Sequence, residues 1–179
     1  MKKRRSLLRV LILLAILTCG HALTSSAQKD VYKFVVKDGK GKLSEENTYF
    51  LIWTTTPWTI PSNQGIAVNP KFDYSVVEVG DRRYVVGTDR LSAVAEILGW
   101  DSYKTVQHLK GTDMEYMVAK HPYIEGRDSL LMEAVYVTDD DGTGLVHIAS
   151  GFGEDDYNTA MRYGFDILSP MDNKGCFTE

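Results

Sequence analysis

The sequence predicts a mixed α/β domain, a compact β-barrel of short strands decorated by a few helices. Short alternating or apolar runs bounded by turn residues recur along most of the chain, which is typical of strands, whereas few segments show helical spacing. The chain has 179 residues, of which 44% are hydrophobic and 25% are charged. This is an ordinary globular composition, and the length allows one sizeable core.

The first 27 residues differ from the remainder and are expected to lie outside the fold. Basic residues at 2–5 precede an apolar run at 10–17, and small and polar residues follow up to Ala27. This order is typical of a secretory signal peptide, and the Arg-rich, acid-free composition also fits a transit peptide. The apolar run is too short for a membrane span. We expect a leader at 1–27 and one domain at 28–179 without a membrane partner.

The charge balance limits how the predicted domain can bind nucleic acid. Five of the 20 basic residues and none of the 24 acidic residues lie in the leader, so residues 28–179 carry a formal charge of −9. A free-standing nucleic-acid binder is usually basic, because phosphate neutralisation supplies much of its affinity. Contact with RNA would therefore be local or supported by another protein. Cys176, the one cysteine after the leader, has no internal partner and favours a reducing compartment, whereas the leader favours a secretory or organellar one.

The N-terminal half of the domain is expected to contain five short strands. Gly80 and Asp81 form a hairpin signal between the last two of them. The predicted strands are 31–36, 49–53, 65–68, 74–79 and 83–86.

Helices and strands are expected to alternate in the C-terminal half. Leu91, Val94 and Leu98 lie at helical spacing, and Gly99 can end that helix. The last predicted helix has three acidic residues in its first turn, where they favour the helix dipole. The predicted elements are helices at 89–98, 103–109 and 154–163 and strands at 114–119, 131–137 and 145–148.

The segment from Trp53 to Asn63 is the most informative part of the chain and reads Trp-Thr-Thr-Thr-Pro-Trp-Thr-Ile-Pro-Ser-Asn. Pro57 and Pro61 fix two backbone angles and remove two N–H donors, so we expect a stiff polar loop flanked by two indoles. Threonines at a strand end are commonly β-formers without another role. Three consecutive threonines with two tryptophans and two prolines in one short span favour a binding or catalytic loop instead.

A second informative segment sets His147 on a strand and two acids, Asp155 and Asp156, at the start of a helix. The spacing of its glycines and acids excludes a dinucleotide fingerprint, a calcium loop and a nucleophile elbow. No further ligand has a spacing suitable for a metal, so we expect none. Two simpler roles stay open: His147 as a hydrogen-bonded strand residue, and the aspartates as partners of the helix dipole.

Together the two segments closely resemble the inserted editing domain of isoleucyl-tRNA synthetases, which are class I aminoacyl-tRNA synthetases. The resemblance is carried by 53–63 and 142–157 and supported by 120–123 and 170–175. The His-x-Gly-His and Lys-Met-Ser-Lys-Ser motifs of the synthetic site do not occur in this sequence. The resemblance is therefore to an editing insert without the synthetic ATP site. Ser150 stands where the family commonly has proline, and we expect it to loosen the following loop.

The resemblance implies an aminoacyl-tRNA deacylase that needs no cofactor and hydrolyses valine wrongly attached to isoleucine tRNA. A hydrophobic pocket rejects an amino acid that lacks one methylene only weakly, which makes a second, hydrolytic site necessary. The implied partners are the 3′ end of an aminoacylated tRNA and the remainder of a synthetase, in the cytoplasm. Thr54, Thr55 and Thr56 would orient the ester and its water, and Asp156 would bind the substrate's ammonium group.

The resemblance also assigns substrate-binding residues. Trp53 and His147 would bound the pocket for the amino acid side chain, and Asn63 would help to hold the terminal adenosine. None of these residues resembles an activated nucleophile, so a positioned water would attack the ester. The alternative from another class is a non-catalytic β domain, exported or not, that derives from an editing domain.

Overall fold

The computed structural model describes residues 30–172 and 174–178, so the predicted leader lies outside the described residues. No helix in these two ranges is long and apolar enough to cross a membrane. The elements are β1 (Asp30–Asp38), β2 (Thr48–Thr54), a 3-10 turn (Pro57–Ser62), β3 (Gly65–Val68), β4 (Asp73–Val79), β5 (Arg82–Gly87), a second 3-10 turn (Thr88–Arg90), α1 (Leu91–Leu98), β6 (Lys104–Lys110), α2 (Gly111–Met114), β7 (Val118–Lys120), β8 (Asp128–Glu133), β9 (Leu145–Ile148) and α3 (Glu154–Arg162).

The strands form one mixed sheet in the order β6-β4-β5-β2-β1-β7-β8-β3-β9. Strand β1 joins one half of the sheet, β6-β4-β5-β2, to the other half, β7-β8-β3-β9. Its residues 30–35 pair with β2, whereas Val36 and Asp38 pair with β7. The pairs β2–β5 and β3–β8 are parallel, and the other neighbours are antiparallel. The mixed class is confirmed, but the end strands β6 and β9 of the described sheet do not pair, so it is not closed into a barrel.

The two halves of the sheet share one apolar core. Phe34 of β1 and Phe50 of β2 are fully buried there, together with side chains from β3, β4 and β8. Thr143, just before β9, donates a 2.6 Å hydrogen bond to the carbonyl oxygen of Leu51 in β2. This contact brings β9, and with it His147, close to β2, the strand that leads into the three consecutive threonines at 54–56.

Helices α1 and α3 cover other parts of the sheet. Val94 of α1 is buried against Leu51 and Val86, and Gly99 ends this helix in the left-handed conformation, as predicted. Ala160 of α3 is buried in a third cluster with side chains of β3 and β9. Burial of each large apolar side chain stabilises the fold by about 1.5–3 kcal/mol. The apolar contacts of α3 therefore fix the position of its acidic first turn.

The prediction of a helix at 103–109 is wrong, because Lys104–Lys110 forms the edge strand β6. Exposure alternates along it, with Thr105, Gln107 and Leu109 less exposed than their neighbours, which is the period of a strand. The lysines at both ends suit a sheet edge, where charge opposes pairing with another chain. Propensity for a short helix was overridden by pairing with β4.

Two other strand predictions are only partly right. In the segment 114–119, the strand begins at Val118, because the preceding residues form the short helix α2 and a turn. In the segment 131–137, the strand starts earlier and ends at Glu133. Predicted strand β9 matches the observed bounds, Leu145–Ile148.

Candidate functional site

Strand β2 ends at Thr54 and delivers the three consecutive threonines at one end of the sheet. The Thr54 hydroxyl accepts a 3.0 Å hydrogen bond from the backbone N–H of Thr56 and lies 3.2 Å from the Thr56 hydroxyl. Thr54 is buried, whereas Thr55 and Thr56 are exposed. The predicted stiff loop continues as the 3-10 turn, with Pro57 at its start and Pro61 inside it. We call this 3-10 turn at 57–62 the threonine turn.

A buried hydrogen-bond chain joins the threonine turn to β9. The Thr59 hydroxyl donates to the carbonyl oxygen of Thr56 at 2.8 Å and lies 2.8 Å from Nε2 of His147. His147 is only 8% exposed. The structure therefore brings Thr54, Thr56 and His147 into one hydrogen-bonded group.

The partners of Asn63 determine the tautomer of His147. Asn63 Nδ2 donates to the Gly65 carbonyl at 2.7 Å, and Asn63 Oδ1 accepts from the Ser129 hydroxyl at 2.6 Å, so the amide cannot be reversed. Nδ2 thus presents an N–H to Nδ1 of His147 at 3.4 Å, which leaves the imidazole proton on Nε2. Burial lowers the pKa of His147 to about 4, so the ring is neutral at pH 7.

Asn63, which is predicted to help hold the terminal adenosine, lies inside the protein. It is fully buried, and both atoms of its amide have partners within the protein. The same amide holds His147 in position through Nδ1.

Asp156 lies in the first turn of α3, beside the end of β9. Its Oδ2 accepts a 2.9 Å hydrogen bond from the backbone N–H of Ala149. Burial, and to a smaller extent the charge of Asp155, raises the pKa of Asp156, whereas the Ala149 N–H acts in the opposite direction. Asp156 forms no ion pair within the described ranges. A half-buried carboxylate without a cationic partner is suited to bind a cationic ligand.

A cleft of ≈ 300 Å³, at the lower end of the range for ligand sites, opens beside the end of β2. Trp53, Thr54 and Thr55 line it together with Tyr136 and the segment 144–146. We call it the threonine cleft. The residues that line it include three of the predicted site residues, Trp53, Thr54 and Thr55.

The other four predicted site residues do not line the threonine cleft; they are Thr56, Asn63, His147 and Asp156. His147 lies behind the threonines, to which Thr59 connects it. Asp156 lies near enough to Tyr136, which lines the cleft, for its charge to add to the burial that raises the pKa of Tyr136 to about 12. The predicted residues are thus adjacent but not all on one surface.

Ser150, which is expected to loosen the loop, forms hydrogen bonds to residues on both sides of it in the chain. Its hydroxyl accepts a 2.9 Å hydrogen bond from the Leu168 N–H and lies 3.3 Å from the Asp166 carbonyl oxygen. Its own backbone N–H donates to Oε1 of Gln64 at 3.3 Å, a bond that proline could not make. These contacts tie the loop to the C-terminal segment.

Three residues that the sequence analysis left without a role support the site. Thr59 and Ser129 orient His147 and Asn63, as described above. His121 is buried, donates from Nε2 to the Ile60 carbonyl at 2.9 Å and accepts two backbone N–H groups at Nδ1. Of these three residues, only Thr59 could have been proposed from the sequence, because it lies inside the threonine-rich motif. The contacts of Ser129 and His121 join distant parts of the chain.

The fold is that of the editing domains of aminoacyl-tRNA synthetases. The chain superposes on GlLeuRS-CP1 with a TM-score of 0.62 and 16% identity, over 80% of this chain and 68% of that one. It superposes on the editing domain of the P. falciparum cytosolic leucyl-tRNA synthetase with a TM-score of 0.60 and 13% identity, over 74% and 64% of the two chains. At these identities the likeness shows the fold. No family model matches the chain.

In sequence, the chain is a relative of isoleucine–tRNA ligases. It is 62% identical over 146 residues to the isoleucine–tRNA ligase of Lactobacillus helveticus (strain DPC 4571). The match covers 82% of this chain, and the chain spans 16% of the length of that relative. The predicted resemblance to the editing domain of isoleucyl-tRNA synthetases is therefore confirmed.

Proposed function

We propose that this chain is an aminoacyl-tRNA deacylase that hydrolyses valine wrongly esterified to isoleucine tRNA. The observation that carries the proposal is the hydrogen-bonded group of Thr56, Thr59 and His147, since the chain neighbours of Thr56 and His147, Thr55 and Val146, line the threonine cleft. The editing-domain fold and the relationship to isoleucine–tRNA ligases support it. The partners would be the 3′ end of an aminoacylated tRNA and the rest of a synthetase, in the cytoplasm.

The geometry favours direct attack by water over a covalent intermediate. A hydroxyl nucleophile needs an adjacent base with a pKa near the working pH. His147 cannot act as that base, because both of its ring nitrogens are engaged and its pKa is about 4. Thr54 and Thr56 are hydrogen-bonded to each other and would instead polarise the ester carbonyl and position the water.

Substrate selection would combine charge with size. Asp156 would bind the α-ammonium group of the amino acid, and such a charge-assisted hydrogen bond contributes about 1.5–3 kcal/mol. Trp53 lines the threonine cleft, and His147 supports its threonines from behind. Because these side chains are held in place, a longer amino acid would clash with them, whereas valine would fit.

The second candidate is a non-catalytic β domain that derives from an editing domain. The observation that favours it is the position of Asp156 outside the lining of the threonine cleft. A carboxylate that does not reach the amino acid could not anchor it. The contacts of Ser150 do not favour this candidate, because they hold the loop between β9 and α3 in place.

A deacylation assay separates the two candidates. The purified chain is incubated with isoleucine tRNA that carries either valine or isoleucine, and the release of each amino acid is compared with the spontaneous rate. The proposal expects rapid release of valine and retention of isoleucine. If both esters decay at the spontaneous rate, the chain is non-catalytic.

A further inference from the structure

A second cleft, of ≈ 450 Å³, lies along the segment 120–128 that joins β7 to β8. We call it the β7–β8 cleft. The Tyr123 ring lines it, is 60% exposed and packs edge-on against Tyr32, with the ring centroids 5.8 Å apart. An exposed ring that is held in a fixed orientation is a surface on which a nucleic-acid base can stack.

The β7–β8 cleft carries an excess of positive charge in a chain whose residues 28–179 have a formal charge of −9. Three cations line it, Lys37, Lys120 and Arg127, together with the carboxylates Glu125 and Asp128. Lys37 is paired with Asp128. Neither Lys120 nor Arg127 forms an ion pair with a carboxylate in the part of the chain that the structure describes. After the Lys37–Asp128 pair is set aside, Lys120 and Arg127 face one carboxylate, Glu125, so the lining has a net charge of +1, which favours a polyanion.

Two hydrogen bonds tie the β7–β8 cleft to the threonine turn. His121 donates to the Ile60 carbonyl at 2.9 Å, and Arg127 donates to the Pro61 carbonyl at 2.9 Å. Both carbonyls belong to the turn that directly follows Thr56. A 3-10 turn of this length spans about 12 Å, so a few nucleotides would bridge the threonines and the β7–β8 cleft.

We infer that the β7–β8 cleft binds the single-stranded RNA that precedes the esterified terminal nucleotide. Lys120 and Arg127 contact phosphates, and Tyr123 stacks on a base. The inference rests on the proposed function, since it assigns the RNA strand of that substrate to a second surface. Binding here tolerates different sequences, because phosphates and stacking carry little information about base identity.

Binding of an RNA of about eight nucleotides, without an esterified amino acid, to the full chain tests the inference without requiring catalysis. Lys120→Ala is expected to weaken binding at least about threefold and to reduce the slope of log K against log salt by about 0.7. Tyr123→Ala is expected to weaken binding at least about fivefold, whereas Tyr123→Phe keeps the stacking ring and the affinity.

Lys104→Ala is the matched control, because it removes the same charge from an exposed residue of β6, at the other end of the described sheet. It should leave the affinity and the salt slope unchanged. Arg127 is not varied, since its loss would also disturb the threonine turn. The inference is overturned if Lys104→Ala and Lys120→Ala weaken binding equally, or if Tyr123→Ala has no effect.

A second measurement separates this inference from the proposed function. On valyl-tRNA, Lys120→Ala and Tyr123→Ala should lower kcat/KM, mainly through KM. On valyl-adenosine, which lacks the preceding nucleotides, both variants should match the unmodified chain. The unmodified chain could hydrolyse neither ester and still bind RNA with the expected dependence on Lys120 and Tyr123. That result would contradict the proposed function and support RNA binding at the β7–β8 cleft. Equal losses on both esters contradict the RNA surface.

Discussion

Thr59 accepts a hydrogen bond from Nε2 of His147 across 2.8 Å while it donates its own proton to the Thr56 carbonyl, also at 2.8 Å. The imidazole is therefore neutral and oriented before a substrate arrives. Because this bond joins the threonine turn to β9, a change in one is transmitted to the other.

His147→Ala should make the site less selective for size. Removal of the ring leaves space behind the threonines, so the variant should release isoleucine as well as valine from isoleucine tRNA. The measurement is the ratio of kcat/KM for the two esters. Thr59→Val is the control, since it keeps the ring and removes the hydroxyl that bonds both Nε2 and the Thr56 carbonyl, and it should change the ratio less. Continued resistance of the isoleucyl ester would show that His147 does not limit the accepted size.

Asp156→Asn should abolish deacylation without lowering thermal stability. The amide oxygen can still accept the Ala149 N–H, but it offers no charge to the substrate's ammonium group. Because the pKa of Asp156 is higher in the folded than in the unfolded chain, the protonated carboxyl stabilises the fold at low pH. This stabilisation is lost as the pH rises through the folded pKa. At pH 7 the ionised form is a net cost, so Tm should stay level or rise.

The same variant can contradict the assignment of Asp156 in two ways. If Asp156→Asn still releases valine, the carboxylate does not bind the substrate. A marked fall in Tm would show that the charge supports the fold. Asp155→Asn, a change at the exposed neighbouring position, should leave both activity and Tm near their original values.

Acid should destabilise the fold partly through His147. Its pKa falls from an ordinary 6.5 to about 4 on folding, so its contribution is complete above pH 6.5 and is lost as pH falls towards 4. The full effect is about 3 kcal/mol. The free energy of unfolding, measured in urea at pH 7 and pH 4, should differ less between the two pH values for His147→Gln than for the unmodified chain. An equal dependence would contradict the buried, neutral ring.

Tyr74→Phe should destabilise the fold and disturb the threonine cleft. The buried Tyr74 hydroxyl accepts the Asn69 N–H and donates to the Gly144 carbonyl, both at 2.9 Å. Loss of the hydroxyl leaves these two groups without this partner, at a cost of about 1–3 kcal/mol. Chemical denaturation measures the loss, and Tyr103→Phe at an exposed position is the control. A change below about 0.5 kcal/mol would contradict the role of this hydroxyl.

The parts of the fold that the sequence predicted well are those encoded locally. Strand β9 lies between glycine-rich turns, and α3 begins at a run of three acids, so both could be located from short patterns. Strand β6 could not, because its seven residues are largely polar and only pairing with β4 makes them a strand. Closure of the sheet also could not be predicted, since it depends on strand order rather than on any one segment.

The candidate site divides in the same way. Thr54 and His147 could be proposed as site residues from the sequence because each lies in a distinctive motif. The burial of Asn63 was missed because its partner Ser129 is 66 residues away in the chain, and local patterns do not encode such contacts. His121 was missed for the same reason, since its partner Ile60 lies 61 residues before it.

The entrance to the threonine cleft at Gly144 is formed by main-chain atoms. Gly144 has a φ of +79°, and a Cβ there would lie 3.0 Å from the Cα of Gly87. The Gly87 N–H also donates to the Thr143 carbonyl at 2.7 Å. A side chain at Gly144 would therefore displace the main chain at Gly87, so substitutions can reshape this cleft only at the other residues that line it, such as Trp53 and Thr55.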